Sequence, residues 1–536
     1  MKSILSLPIV HTFPRWWRKP DYFYPLLLLL VIIAYYGVFA GPNWITYRFA
    51  TWDSLRDAIN ARHLLEGGGL FADPVLSGYH SWYPPTHAAL MAGYASLFNA
   101  DLIKVYAIFT ASFNWVAILA FYFLSYRLTN RNPHAAFAAT LSLCALPWFV
   151  TYVMASPTVM AHGSALSLIL LAAFVFHADS LSWKTISVFA LCCGAMGLFH
   201  PPTFLIILGA FSLFWFIRIR HSFFAWDTIL HATLFTSIAL AIASPYWLTQ
   251  ILQPVRNPDP IGYIAPALYH LEFILPGKSL LRCIPIMVLA LAGLRLTLKR
   301  RHQPVYEFLL ALLGISILGQ IPPYLLKYLQ NTNLESYNSM LAKLPVLVPH
   351  EFQLYAQLTT ALFAGIGLSW FLDLQIPLKI RYLICSVLII ALSASLLVCL
   401  TEIPQHSKLF LWPYHEKGEW DGVSQFIRQN TNVNDVICSP DDHSSFFVIG
   451  VRTGRKTLHS YPSHCNPRAD MESRRQARDN IYYTAEKDSI LQYARTYNIR
   501  YLLVSRKLVD PNRIKLFQKW FKILYDDDIV ALVELI

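Results

Sequence analysis

Charge is what this chain lacks most. Asp, Glu, Lys and Arg supply 14% of its 536 residues, against about 25% in a water-soluble domain. A folded chain of that length needs more polar surface than this, which excludes a soluble globular protein. The eight cysteines form no CxxC pair and no Cys/His spacing suited to zinc, so a disulfide scaffold and a zinc module are excluded too. No glycine-rich nucleotide motif, internal repeat or low-complexity tract occurs. Apolar residues are abundant instead, at 55%, and mean hydropathy is +0.42, which rules out disorder and collagen. In so apolar a chain, a net charge of +12 reads as basic turns facing the cytoplasm rather than a nucleic-acid surface. The composition is that of a polytopic α-helical membrane protein.

A helix crossing about 30 Å of hydrocarbon needs roughly 20 apolar residues. Such stretches lie near 24–40, 104–124, 135–154, 163–178, 227–247, 280–297, 307–326, 350–372 and 382–401. A longer apolar run over 185–217 is interrupted by His200, Pro201 and Pro202. Proline at membrane depth belongs at a helix end or a cavity, so the run reads as two helices meeting there. The expected total is eleven spans. The first is not a cleaved signal, because its apolar run is too long and no small-residue cleavage site follows. With the N-terminus inside, Arg18, Lys19, Arg127, Arg131, Arg218, Arg220, Lys299, Arg300 and Arg301 fall in inside segments. The outer segments before residue 402 are poor in Lys and Arg, which is the positive-inside pattern. This orientation requires residues 84–100, which open on two prolines, to form an interfacial helix on the outer surface.

From about residue 403, polar residues become frequent and apolar runs shrink to strand length. Residues 420–429 read as an amphipathic helix, 435–438 as a short strand, 489–498 as a helix and 499–505 as a buried strand. The closing FKILYDDDIVALVELI reads as a hairpin. The expected layout is a transmembrane domain over 1–402, with a long first outer loop at 41–103, and a small extracytoplasmic α/β domain over 403–536. An oxidising outer compartment would allow Cys438 and Cys465, the two cysteines of that outer domain, to bond.

Polar residues at the outer ends of spans are the informative ones, since they line cavities or meet headgroups. Asp53 follows the first span among Trp44, Tyr47, Phe49 and Trp52. A carboxylate there suits proton transfer, and it equally suits capping a helix that starts at Ser54. His80, Trp82, Tyr83 and His87 flank Pro84-Pro85, a set fit to grip a sugar ring or to form an aromatic belt. His162 and His200 fall at outer helix ends, as hydroxyl or phosphate partners or as satisfied core histidines. His350 and Glu351 enter the tenth span together, which favours a cavity for the acid. Arg256, Lys278 and Lys327, in outer segments, suit a lipid-linked phosphate or the membrane interface.

The order of these features carries a resemblance. A first span precedes a long outer loop with an early Asp (TWDSLRDA) and a late YPP (WYPPTHAALMAGYASLF). A basic turn (SYRLTNRNPHAAFAATL) and a polar C-terminal part with short strands follow. This resembles the GT-C superfamily of integral-membrane glycosyltransferases, which includes the protein O-mannosyl and aminoarabinose transferases. The likeness covers roughly residues 20–220 by motif and the rest by layout. It implies an inverting transferase that moves a sugar from a polyprenyl-phosphate-linked donor to a lipid, glycan or protein acceptor on the outer face. The loop Asp, here Asp53, would be the general base, and His80, Trp82, Tyr83, His87, His200, Arg256, His350 and Glu351 would bind substrate.

Asp57 and Asp73 both fit the second acidic position found in related loops. No metal site or cofactor is assigned, although a divalent ion is compatible with the resemblance. The implied partners are the donor lipid, the acceptor and the bilayer, with no nucleic acid. The competing classes are a multi-pass transporter or flippase and a non-catalytic scaffold of cell-envelope assembly. The absence of a repeat and the scarcity of charge deep in the spans disfavour transport. No N-x-S/T sequon lies in the outer segments, which points to a bacterial inner membrane.

Overall fold

The computed structural model describes residues 20–35, 52–146, 158–252, 277–321, 349–374, 420–461 and 468–536, with a few isolated positions between them. The first part is helical: α1 (Pro20–Tyr35), α2 (Trp52–Leu65), α3 (Pro85–Leu97), α4 (Leu102–Leu128), α5 (Pro133–Cys144) and α6 (Val159–His177). It continues with α7 (Trp183–Phe199), α8 (Pro201–His221), α9 (Trp226–Leu252), α10 (Gly277–Lys299), α11 (Pro304–Leu318) and α12 (Pro349–Asp373). Among the described residues, five helices are long and apolar enough to cross a membrane, within α4, α6, α8, α9 and α12. The shorter α7 and α11 are apolar as well. The chain is a multi-pass membrane protein.

Local chemistry sets the helix ends. Asn132 accepts from the amides of His134 and Ala135 and Pro133 takes the first position of α5, where its missing N–H costs nothing. Thr158 caps α6 and Ser182 caps α7 in the same way. The expected break in the 185–217 run falls at His200, which ends α7 and starts α8. The expected span at 135–154 is helical over Pro133–Cys144, and most of its remainder lies outside the described residues, as do most of 382–401 and the end of 24–40.

Helix α3 has 13 residues, roughly 20 Å at 1.5 Å per residue and too short to cross. It buries His87, Ala88, Met91, Ala92 and Ala95 and exposes Leu90, Tyr94, Leu97 and Phe98. One face against protein and an apolar face outward is what an interfacial helix requires. Glycine permits the closest helix pair: a Cβ on Gly293 would lie 1.9 Å from the Phe363 carbonyl oxygen, and one on Gly367 2.1 Å from that of Leu289. Helices α10 and α12 meet backbone to backbone there, as small residues allow in lipid.

The C-terminal part begins with α13 (Asp421–Asn430), followed by β1 (Val436–Cys438), a π-helix (Ser444–Thr453) and β2 (Lys456–Thr457). Then come α14 (Met471–Asp479), α15 (Lys487–Tyr497), β3 (Ile499–Ser505), α16 (Pro511–Trp520), β4 (Lys522–Asp526) and β5 (Val530–Glu534). The five strands run in the order β2-β1-β3-β5-β4. Strand β1 is parallel to β2 and β3, and the hairpin partners β4 and β5 are antiparallel. Alternation along β3 sorts the two faces. Leu502 and Val504 pack with Ile490 and Phe517, whereas Tyr501 and Leu503 pack with Val423, Ile427 and Val448. Sheet and first loop are not separate bodies: Leu55, Ile59, Val75 and Leu76 share an apolar cluster with Phe446, Phe447, Val451 and Met471.

Cys438 and Cys465 are free buried thiols, which corrects the disulfide expected between them. Cys438 sits in the cluster with Leu502 and Tyr482, and Cys465 in the one with Val75 and Leu76. Each is a small apolar side chain in its own core, and burial pushes both thiols up from their ordinary pKa.

Candidate active site

Helix α2 is the hub. It begins at Trp52, so Asp53 is its second residue, inside the first turn rather than before a helix starting at Ser54. Side chains are described from Leu55 onward. Leu55 and Ile59 face the C-terminal part, while Ala58 and Ala61 pack on Met91 and Tyr106 of α3 and α4. Arg56, 7% exposed, donates to Asp57 Oδ1 through Nε at 3.2 Å and Nη2 at 3.0 Å. Its guanidinium carbon lies 3.9 Å from the Tyr83 ring centroid, a cation–π contact.

The other two carboxylates considered for catalysis are committed to structure. Asp57 Oδ2 accepts from the Val159 amide at 2.9 Å, at the first residue of α6, where a carboxylate complements the helix dipole. The Tyr106 hydroxyl donates to the Asp57 carbonyl. Asp73 accepts from the amides of Val75 and Leu76 at 2.8 and 2.7 Å, and from Asn466 Nδ2 at 2.9 Å. Burial raises the Asp73 carboxyl, against the hydrogen bonds of Leu76, Asn466 and Val75.

Three histidines converge beside Arg56. The Thr110 hydroxyl donates to the Tyr106 carbonyl at 2.7 Å, so it accepts from His162 Nε2 at 2.8 Å. That leaves His162 Nδ1 to accept from His87 Nε2 at 2.7 Å, which fixes both tautomers. Burial holds His87 well below the usual histidine pKa, helped by His162, His200 and Arg56, so it is neutral. His200 Nδ1 meets the Thr203 hydroxyl at 2.8 Å, and its Nε2 stands 3.8 Å from Glu351 Oε1. A Cβ at Gly163 would come 2.7 Å from that of His200, so glycine makes room for this ring. On α12, the Tyr355 hydroxyl donates to Ser167 at 2.7 Å. The Gln353 amide is buried, with neither polar atom paired among the described residues.

The structure thus brings together Tyr83, His87, His200 and Glu351 from three separate stretches of sequence. Trp82 packs edge-on to Tyr83 at 4.9 Å, and its carbonyl accepts from the Tyr246 hydroxyl of α9. His80 is exposed and is tied in through its carbonyl, which accepts from Asn466 at 2.8 Å. Arg256, Lys327 and the side chains of Asp53, Lys278 and His350 lie outside the described residues. Sequence reasoning missed Arg56, Thr110, Tyr246 and Gln353. For Arg56, the available signal was its spacing of three residues from Asp53, less than one helical turn. Among the described residues, no group of three His, Cys, Asp or Glu side chains could hold a metal ion.

No protein-family model and no curated protein sequence matches this chain. Its fold does match solved structures. The crystal structure of ArnT from Cupriavidus metallidurans bound to undecaprenyl phosphate superposes with a TM-score of 0.54 at 13% identity, over 96% of this chain and 97% of that one. The cryo-electron microscopy structure of the arabinofuranosyltransferase AftD from mycobacteria gives a TM-score of 0.56 at 12% identity, over 98% of this chain and 40% of that one. The chain has a GT-C-like fold.

Proposed function

We propose that this protein is a membrane glycosyltransferase that moves a sugar from a polyprenyl-phosphate-linked donor to an acceptor on the outer face of a bacterial inner membrane. The observation that carries the reading is the cluster of buried Arg56, His87, His200 and Glu351 with half-buried Tyr83, set within a GT-C-like fold. ArnT, of nearly the same length, was solved with undecaprenyl phosphate, which supports a donor of that lipid class.

In this reading Asp53, in the first turn of α2, takes the acceptor hydroxyl proton as that oxygen attacks the anomeric carbon. The sugar–phosphate bond breaks and the electron pair leaves on the lipid phosphate, already a stable anion. Arg56 places positive charge beside that phosphate, held by Asp57 and the face of Tyr83. The neutral His87 and the pair of His200 with Glu351 offer hydrogen bonds to sugar hydroxyls. Arg256 and His350 complete the binding set, with His80 and Trp82 at its rim. The eleven-span topology, with the N-terminus inside and residues 403–536 outside, belongs to the same proposal.

The test is transfer of radiolabelled sugar from a polyprenyl-phosphate donor by purified protein in nanodiscs. Asp53→Asn is expected to lower turnover by about 10²–10⁴-fold while the protein still folds. Near-normal transfer by that variant would remove Asp53 from the mechanism. Wild-type protein that leaves all label on the donor would favour a flippase or a scaffold.

A further inference from the structure

Helix α8 has 21 residues, roughly 32 Å of rise, and runs from His200 in the candidate site to His221 a membrane's width away. At that far end the α8–α9 turn meets the α10–α11 turn, with the rings of His221 and His302 5.6 Å apart. The buried carboxylate of Glu307 is already taken, by His221 at 2.7 Å and Arg218 at 3.4 Å. Arg220, Arg295, Lys299 and Arg301 are exposed and form no ion pair among the described residues. The other acid of these two turns is Asp227, at the start of α9.

Between these cations the chain presents aromatic rings outward. Phe223 is 91% exposed, Phe224 69% and Trp226 68%. Phe223 and Phe224 hold φ of 50° and 63°, left-handed backbone that a bulky residue adopts at a cost. Directly below, Phe216 is 63% exposed on the α8 wall, where acyl chains lie. Aromatic rings are at home at the boundary between acyl chains and headgroups, and unpaired Arg and Lys at that depth seek phosphate oxygens. A water-filled setting would satisfy the cations and leave the rings uncovered.

We propose that the corner formed by the α8–α9 and α10–α11 turns is a binding site for anionic phospholipid headgroups. Arg220, Lys299 and Arg301 meet the headgroup phosphate, and Phe223, Phe224 and Trp226 sit between the acyl chains beneath it. The inference is independent of what the opposite end of the bundle catalyses.

Native mass spectrometry of the full chain, released from nanodiscs of equal phosphatidylcholine and phosphatidylglycerol, reads the preference directly. The wild type is expected to retain phosphatidylglycerol over phosphatidylcholine. The R220Q/K299Q/R301Q variant loses that preference, by about fivefold per charge removed, whereas R131Q/K184Q, in other basic turns, keeps it. R220K/R301K retains the preference, which separates charge from misfolding. F223S/F224S lowers retention of both lipids. Equal retention of the two lipids by the wild type overturns the proposal, as does a triple variant that still prefers phosphatidylglycerol. Competition by millimolar inorganic phosphate would also overturn it, since it assigns the cations to a free anion.

Discussion

Arg455, at the edge of the C-terminal sheet, forms an ion pair at 3.0 Å with Glu66, which lies 389 residues earlier at the end of the helix that carries Asp53. The rest of the guanidinium is used as well: Nε donates to the Thr431 hydroxyl, Nη2 to the carbonyls of Arg428 and Thr431, and Nη1 also to that of Thr453. One turn back along α2, His63 Nδ1 donates to the Gly454 carbonyl at 2.9 Å. Gly454 itself sits at φ 69° with the Arg62 backbone 3.1 Å from where a Cβ would be. The C-terminal part therefore clamps the helix on which the proposed chemistry depends.

Arg455→Ala is expected to destabilise the protein by about 3–5 kcal/mol, because it removes a buried guanidinium that pairs with Glu66 and serves four further acceptors, leaving that carboxylate only the exposed Arg428. Arg428→Gln, at the exposed side of the same carboxylate, should cost no more than about 1 kcal/mol. Denaturant unfolding in detergent, with limited proteolysis to follow release of the C-terminal part, measures both. Equal effects would mean that the pairing carries no special weight.

The three loop carboxylates should separate by the kind of damage they do. Asp57→Ala removes the acceptor of two Arg56 hydrogen bonds and of the Val159 amide, at a cost of about 1–3 kcal/mol in stability. Asp73→Ala unpairs two backbone amides and removes one of the two hydrogen bonds of Asn466 Nδ2, about 1–3 kcal/mol. Asp53→Asn should leave stability nearly unchanged and lower transfer by about 10²–10⁴-fold. Melting curves set beside transfer rates test this, and a large stability loss for Asp53→Asn would count against its role.

Acidification should weaken the fold from two histidines. Burial is the main cause that holds His63 below its ordinary 6.5, opposed by its bond to Gly454 and aided by Lys456 and Arg455. His87 is held lower still, again by burial first. Both pKa values are depressed in the native state, so the unfolded chain binds protons that the native protein refuses. The stability is fully present above the unfolded value and is lost as pH falls through it. Midpoints of unfolding recorded from pH 7.5 down to about 5.5 should fall, and His63→Gln should flatten the slope. A flat wild-type profile would contradict the burial of both rings.

Gly293→Leu should separate α10 from α12 and yield aggregated or unstable protein. The Phe363 carbonyl oxygen occupies the space that any side chain would need, and lipid offers no hydrophobic gain to offset the loss of packing. Size-exclusion profiles after extraction report this. Gly93, with nothing within 4 Å of its missing Cβ, is the control position and should tolerate alanine.

Much of this architecture was legible in the sequence. The apolar runs announced the helices because lipid demands them, and the proline pair at 201–202 placed the α7–α8 break within a residue. A short apolar run identified β3, and two apolar runs around an acidic turn identified the closing hairpin. Helix α14, which has little apolar patterning of its own, was missed, as was the π-helix over Ser444–Thr453. A two-residue strand such as β2 leaves no pattern to read.

The site was legible only in part. Composition determined that this is a membrane protein, and motif order pointed to a GT-C-like fold, because both are properties of local runs of side chains. Only tertiary structure decided which polar residues meet. His87 could be named from the YPP stretch, but its partner His162 lies 75 residues away on another helix. Asp57 and Asp73 both fitted the second acidic position until folding gave the first to the start of α6 and the second to Asn466. A carboxylate's role is set by the donors that surround it, and those donors come from helices and loops far apart in the chain.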